Sequence, residues 1–304
     1  MKIVGGGLSG LLCGALNPNA VVYEAGPKRE SDHKALFRCR TPEIGRILGI
    51  PFKEVKVNKA IWDHGKEVNP TPRIAHLYSQ KVTGKITGRS ILDIRPVTRY
   101  IPPEDFVEQL QERCNIEYNT FLVPGEIDYN CPVISTIPLP SLLVGLKMKD
   151  DFKSTEFIFR NIHTERIEID ECDSYCTVYY PEEWIGPYRA SITGSTLIIE
   201  SMKEIEADDL KHIFTSLGIP MKMKYYEQLT GHMQKMGKIY QIDEQLRKNL
   251  ITKLTIKHNI YSLGRFATWR PKVMLDDVLE DIFVIRRLIA GGNYASMNHK
   301  QGEK

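Results

Sequence analysis

Apolar positions enter this chain in short blocks whose spacing changes along its length. Lys2–Val4 is a brief apolar run halted by Gly5, Gly6 and Gly7. Leu8–Leu16 is apolar and rich in helix formers, and Val21–Tyr23 is a β-branched and aromatic run closed by Glu24. These blocks predict strand, turn, helix and strand in succession. Ala25–Arg40 is polar, basic and rich in turn formers. Thr41 and Pro42 then sit where a cap and a first helical residue belong, so Thr41–Leu48 is expected to be a short helix. Residues 50–100 read as short strands (Lys53–Val57, Ile61–Trp62, Ile74–Leu77), followed by a helix from Pro102 to Arg113. Further strands are expected at Ile116–Val123 and Pro132–Ile137.

From Asp151 the period shortens to two and aromatic residues multiply. Glu156–Phe159, Arg166–Ile169, Tyr175–Tyr180 and Ser195–Glu200 predict an antiparallel sheet. Helices follow at Ala207–Leu217 and Asp243–His258, then a strand at Ile260–Leu263 and a long amphipathic helix at Met274–Ile289. The expected fold class is α/β. A Rossmann-like domain is drawn from residues 1–150 and 250–297, with parts of 50–100 on the other side. A smaller α+β substrate domain is inserted at 151–249, and a disordered tail is expected over 298–304.

Chemistry enters with the first block. Gly5, Gly7 and Gly10 have the spacing G-x-G-x-x-G between a strand and a helix, and Glu24 lies 19 residues beyond Gly5. In a dinucleotide site such glycines make a tight turn, admit a pyrophosphate to the backbone and let the helix pack on the strand. The helix N-terminus faces the phosphates, and the acid accepts the ribose hydroxyls. A secretory leader is the competing reading of this N-terminus, but Gly5–Gly7 breaks the apolar run and no small-x-small cleavage site precedes Asn17-Pro18.

Composition narrows the classes without choosing among them. Over 304 residues, 42% hydrophobic and 26% charged content is ordinary for a globular protein, and a net charge of +3 does not by itself call for nucleic acid. No apolar segment reaches bilayer-spanning length. The six cysteines show no framework spacing, and Cys172 and Cys176 fit no zinc pattern. The eight histidines are dispersed, so no metal site is expected. Reduced thiols and a cytoplasmic location are the economical expectation.

A second block, Ile260–Ile289, carries a family likeness. Its strand, the Gly264-Arg265 pair, the aromatic Trp269 and Met274 at the head of a long helix resemble the last FAD motif of one flavoprotein group. That group contains UDP-galactopyranose mutase, within the wider amine oxidase and protoporphyrinogen oxidase class. Val133–Leu139 and the strands around Tyr175–Tyr180, Pro187–Arg189 and Thr196–Glu200 are similar to further segments of it. The resemblance implies FAD. Gly5, Gly7, Gly10 and Glu24 would hold the ADP half; Leu8, Ser9, Ala25, Arg40 and Thr136 are further cofactor-binding candidates, Thr136 in the segment near the flavin and Arg40 reaching the flavin or an anionic substrate. Gly264 and Arg265 would lie by the pyrophosphate and ribityl chain. The helix start at Met274 and Leu275 would face the flavin pyrimidine ring, where reduction places negative charge. The chain departs from the mutase pattern after Glu24. Ala25–Arg29 and His33–Arg38 replace a glycine pair and a His-rich segment.

No second G-x-G-x-x-G is present for a nicotinamide, so reoxidation by oxygen or by product is expected. The leading expectation is an FAD-dependent oxidoreductase of amine-oxidase type, acting on a C–N or C–H bond of a small or polymer-borne amine. His33, Arg38, Trp269 and Arg270 are the catalytic candidates, against surface or packing roles. Tyr179, Tyr180, Tyr188 and Arg189, near Trp184, form a cluster able to stack a planar substrate, against a plain sheet core. The first alternative is a mutase-like isomerase that uses reduced flavin as a nucleophile. The second is a flavin-containing nucleic-acid-binding module, suggested by the lysines and tyrosines of Met221–Lys238. Oligomeric state is left open.

Overall fold

The computed structural model describes residues 1–28, 36–87, 90–128, 130–148 and 151–301. The strands are β1 (Lys2–Val4), β2 (Val21–Tyr23), β3 (Lys53–Asp63), β4 (Lys66–Glu67), β5 (Val97–Ile101), β6 (Asn115–Glu117) and β7 (Val133–Ser135), then β8 (Phe159–Glu168), β9 (Ser174–Tyr179), β10 (Pro187–Gly194), β11 (Thr196–Ser201), β12 (Met233–Ile239) and β13 (Ile260–Ser262). The helices are α1 (Leu8–Leu16), α2 (Glu43–Leu48), α3 (Pro72–Thr83), α4 (Phe106–Glu112) and α5 (Leu139–Gly145), then α6 (Ala207–Leu217), α7 (Met223–Tyr226), α8 (Glu244–His258), α9 (Gly264–Ala267) and α10 (Leu275–Gln301).

Five short strands form a parallel sheet in the order β13-β7-β1-β2-β6. Its central strands are apolar because helices cover both faces. On one face Ile3 and Val22 pack with Leu11 and Leu12 of α1, Phe106 and Leu110 of α4, and Leu279 and Ile282 of α10. On the other, Val4, Val133 and Ile260 meet Leu142 and Leu143 of α5, Leu250 and Leu254 of α8, and Trp269. The N-terminal strand and β13 thus share one sheet through β7.

The second sheet is mixed. Its order is β12-β8-β11-β10-β9-β3-β4, with β5 paired to β3. All its pairings are antiparallel except β3 with β9. The antiparallel sheet expected from 151–249 therefore takes in strands from residues 53–101. A parallel pair needs a long crossover, so no local turn signal could place β3 beside β9. One face of this sheet carries Ile167, Val178, Ala190, Ile192, Leu197 and Ile199 and is covered by Leu210, Ile213 and Phe214 of α6.

Three local expectations are corrected. Ile74–Leu77 lies in α3, not a strand: Thr71 caps it by accepting from the Ile74 N–H at 3.2 Å, and Pro72 opens it. Ile74, Ala75, Tyr78 and Val82 give that helix its buried face. The strand expected at Ile116–Val123 contracts to β6. The tail expected to be irregular from Asn298 continues α10 through Gln301, since no proline interrupts it. Residues 302–304 lie outside the described residues.

Candidate dinucleotide site

The glycine turn forms at the C-terminal ends of β1, β7 and β13, where loops of an open parallel sheet converge. Gly5 has φ +100°, and a Cβ there would lie 2.2 Å from Thr136 Oγ1. Thr136 is held by donating to the Val4 carbonyl at 2.9 Å. A Cβ on Gly10 would fall 1.9 Å from the Gly5 carbonyl oxygen, so α1 sits directly on the strand end. Gly7 caps α1 without any side-chain hydrogen bond, and a Cβ there would meet nothing within 4 Å. Gly5 thus makes the turn at positive φ, Gly10 lets α1 pack on the strand end, and Gly7 leaves open space at the helix start. Leu8 and Ser9 form the first turn of α1 behind that opening.

Glu24 follows β2 and lies beside the turn. Its Oε2 accepts the Gly6 N–H at 2.6 Å and its Oε1 accepts the Gly26 N–H at 2.9 Å. Both bonds fix the carboxylate while leaving further lone pairs. Ala25, between the two donors, is exposed.

The far end of the chain closes on this turn. Gly264, with φ +87°, brings its backbone against the first turn of α1. A Cβ on it would lie 2.3 Å from Ser9 Oγ. Arg265 then leaves the cradle for the mixed sheet, donating to the carbonyls of Gly237 (2.7 Å) and Met236 (3.3 Å) on β12. Its Nε is buried without a hydrogen-bond partner among the described residues. Burial pulls its guanidinium below the ordinary value, partly offset by the nearby Tyr188 and Glu200.

The N-terminus of α10 meets the segment 38–41. Asp276 is buried and accepts the Arg40 N–H at 3.0 Å and the Thr41 N–H at 3.2 Å. Asp277 accepts the Met274 N–H at 2.8 Å and pairs with the Arg40 guanidinium. Met274 and Leu275 thus stand at a helix start already tied to Arg40. The partners of Asp276 are more than 230 residues away, and nothing local in the sequence signals them.

The mixed sheet's second face is polar where it meets this region. Arg38, 8% exposed, reaches it and donates to Thr177 Oγ1 (2.7 Å), Thr193 Oγ1 (3.0 Å) and the carbonyls of Cys176 and Ile192. Burial and the neighbouring Arg189 lower its guanidinium to about 10, still charged at neutral pH. Arg189 stands directly across from Glu200 on β11 and pairs with it. Tyr188 donates to Glu200 Oε1 at 2.9 Å, and Lys238 lies over the Tyr188 ring. Burial would raise the Glu200 carboxyl, but Arg189 and Lys238 prevail and hold it below the usual range. A cleft of about 340 Å³ opens beside this face, lined by Phe37, Pro51, Lys53, Pro103, Arg166 and Thr193 among others. None of the turn glycines lines it.

The remaining candidates are dispersed. Trp269 is fully buried, edge-on to Phe157 at 5.0 Å, and donates to the Tyr240 carbonyl. It has no face for a ligand; packing is its role. Arg270 pairs with Asp281 on α10 and bonds Thr268. Tyr180 lies under α6 bonded to Ser216, while Trp184 is largely exposed. Tyr179 packs edge-on against Tyr78. Tyr180 is thus set apart from the expected cluster, as alternation along a strand sends neighbours to opposite faces, while Tyr179 and Tyr188 both pack edge-on against Tyr78. His33 lies outside the described residues. In the lysine-rich segment, Lys222 and Lys224 pair with Asp170 and Tyr225 is buried against Phe214. All six cysteines are free thiols, and no helix among the described residues is long and apolar enough to cross a membrane.

The fold is shared with several solved structures. The chain is similar to reduced UDP-galactopyranose mutase, with TM-score 0.68 and 15% identity over 95% of each chain. It is also similar to a fatty acid isomerase from P. acnes that produces CLA (TM-score 0.56, 10% identity, 94% of this chain and 97% of that one). A flavin-dependent brominase variant gives TM-score 0.53 at 11% identity, over 95% of this chain and 80% of that one. No protein-family model matches the sequence, and no curated protein matches it either. These likenesses establish an α/β fold of the mutase type, with one parallel and one mixed sheet.

Proposed function

We propose that the chain binds FAD and is a flavoenzyme acting on an anionic, hydroxyl-rich substrate in the manner of UDP-galactopyranose mutase. The observation that carries the cofactor is the closure of Gly264 onto Ser9. It joins the N-terminal turn and the C-terminal Gly-Arg unit in one cradle, as a ligand spanning both requires. Gly7 leaves the approach to α1 open, α1 offers N–H groups and a positive dipole end, and Glu24 is oriented for ribose. FAD bound there supplies a ring system able to accept electrons or, when reduced, to attack as a nucleophile.

The protein's own contribution lies on the polar sheet face. Arg38 and Arg265 hold the mixed sheet against the cradle, and Arg189 is positioned by Glu200. Guanidinium groups recognise phosphate with paired N–H donors, worth about 1.5–3 kcal/mol per charged hydrogen bond. The hydroxyls of Thr177, Ser191 and Thr193 share that face. An amine oxidase of the expected type wants an apolar, aromatic pocket for a neutral amine. Here Trp269 and Tyr180 are committed to cores, and the face is polar, carrying Arg38, Thr177, Ser191, Thr193 and the Arg189–Glu200 pair. The mutase-like reading, second in the sequence, therefore moves ahead.

The test incubates the FAD-loaded, chemically reduced protein anaerobically with UDP-sugars and resolves ring isomers by chromatography. The aerobic protein is assayed in parallel for peroxide with a panel of amines. A ring-isomerised sugar nucleotide without net oxidation supports the proposal. Peroxide from an amine, with sugar nucleotides unchanged, overturns it in favour of the oxidase.

A further inference from the structure

At the end of the mixed sheet away from β12, two stretches distant in sequence meet. Asp63 ends β3, His64 starts the turn into β4 with φ +52°, and Glu182 lies in the connection from β9 to β10. One potential ligand atom from each lies within 4.8 Å of the others. His212 of α6 borders the group, its Nε2 3.9 Å from Glu182 Oε2.

The polar bookkeeping of this cluster does not close. The Glu182 side chain is fully buried, and its Oε2 has no hydrogen-bond partner among the described residues. Asp63 Oδ1 and His212 Nε2 are buried in the same condition. Asp63 Oδ1 lies 3.0 Å from His64 Nδ1 but accepts no well-aligned hydrogen bond. Orphaned buried carboxylate oxygens cost about 1–3 kcal/mol or more each, so convergent ones call for a counter-charge. Lys81 is electrostatically coupled to Glu182, yet its Nζ is spent on the carbonyls of Tyr180, Glu182 and Pro187 at 2.5–3.1 Å. It pins the backbone of the Glu182 connection rather than its carboxylate.

We infer that Asp63, His64 and Glu182, with His212 as fourth ligand, form a binding site for a divalent d-block cation, zinc being the best match. Two imidazoles and two carboxylates are a borderline donor set that suits zinc; magnesium and calcium prefer all-oxygen shells. Tetrahedral zinc with bonds of about 2.0–2.1 Å sets its ligand atoms about 3.3 Å apart; those of Asp63, His64 and Glu182 lie within 4.8 Å of one another, and His212 Nε2 lies 3.9 Å from Glu182 Oε2, so the ion would draw the four together. His64 is on an exposed two-residue turn and Glu182 on a connection, so closing the remaining gap needs no movement of the sheet. The ion would tie the β3–β4 hairpin, the β9–β10 connection and α6 together. Its four ligands lie outside the cradle, so the role is structural. The dispersed histidines gave no such signal because residues 63, 64, 182 and 212 meet only through the parallel β3–β9 pairing and the docking of α6.

The test uses full-length, tag-free protein stripped with a chelator and then titrated with zinc sulfate by calorimetry, with thermal melting in parallel. The site predicts one equivalent bound and a Tm raised by roughly 3–6 °C at zinc 100-fold above Kd. His64→Ala, at an exposed position, is expected to fold and to weaken binding at least tenfold; His212→Ala does the same from the other side. Absence of binding heat and of a Tm shift in the unmodified chain overturns the site. So does zinc bound equally well by both variants, which would place it elsewhere, for example on cysteines.

Discussion

At the scale of single residues, the candidate site depends on glycines that no side chain can replace. Gly264 is the sharpest case: its φ of +87° disfavours any L side chain, and Ser9 fills the space a Cβ would take. Gly264→Ala is expected to cost about 2–4 kcal/mol from strain and overpacking together, read from urea unfolding. Flavin retention should fall in the same variant, because the helix start and the Gly-Arg unit must separate. Glu200 supplies a second prediction, on pH. Its folded-state carboxyl titrates below its ordinary value, so the unfolded chain takes up the proton first. That share of stability is present above the ordinary carboxylate value of about 4.5 and is lost as pH falls through the depressed one. The urea midpoint of the unmodified chain should therefore drop with acid below this range, and Glu200→Gln should flatten the drop. An unchanged slope in the variant would remove Glu200 from the account.

Among elements, the join between α10 and the segment 38–41 matters most. Asp276 satisfies two backbone N–H groups on a segment that has no strand or helix of its own. Asp276→Ala leaves them without that acceptor and is expected to cost about 1–3 kcal/mol. Hydrogen exchange should quicken at Arg40 and Thr41 while β1 and β13 stay protected. The sequence made local elements legible where one face is buried and the caps are close in the chain. Thus α6 has its expected bounds, Ala207–Leu217, and α8 differs from expectation only in giving Asp243 to the cap. It misled where a short apolar run is ambiguous, as in α3, whose Ile74 and Leu77 suit strand or helix until Thr71 and Pro72 are weighed. Pairings across hundreds of residues had no local trace: Asp276 with Arg40, Arg38 with Thr177, and β3 with β9. The glycine turn and Glu24 were readable because turn, open approach and acid lie within one short βαβ segment.

Over the whole molecule, two sheets built from interleaved segments meet where both chain ends have already closed on each other. Gly5–Gly10 gives half of a cradle, Gly264 the other half, and Arg38 and Arg265 hold the polar sheet face to it. Only a ligand that reaches from the ADP pocket toward that face uses all of these parts. The most direct measurement is a titration of the purified, flavin-free protein with FAD, followed by flavin fluorescence and absorbance, with Glu24→Gln alongside. The account predicts one FAD per chain and an affinity about 10–100-fold weaker in the variant, from loss of a charged hydrogen bond to ribose. A protein that is colourless when isolated and takes up no FAD on titration would contradict it.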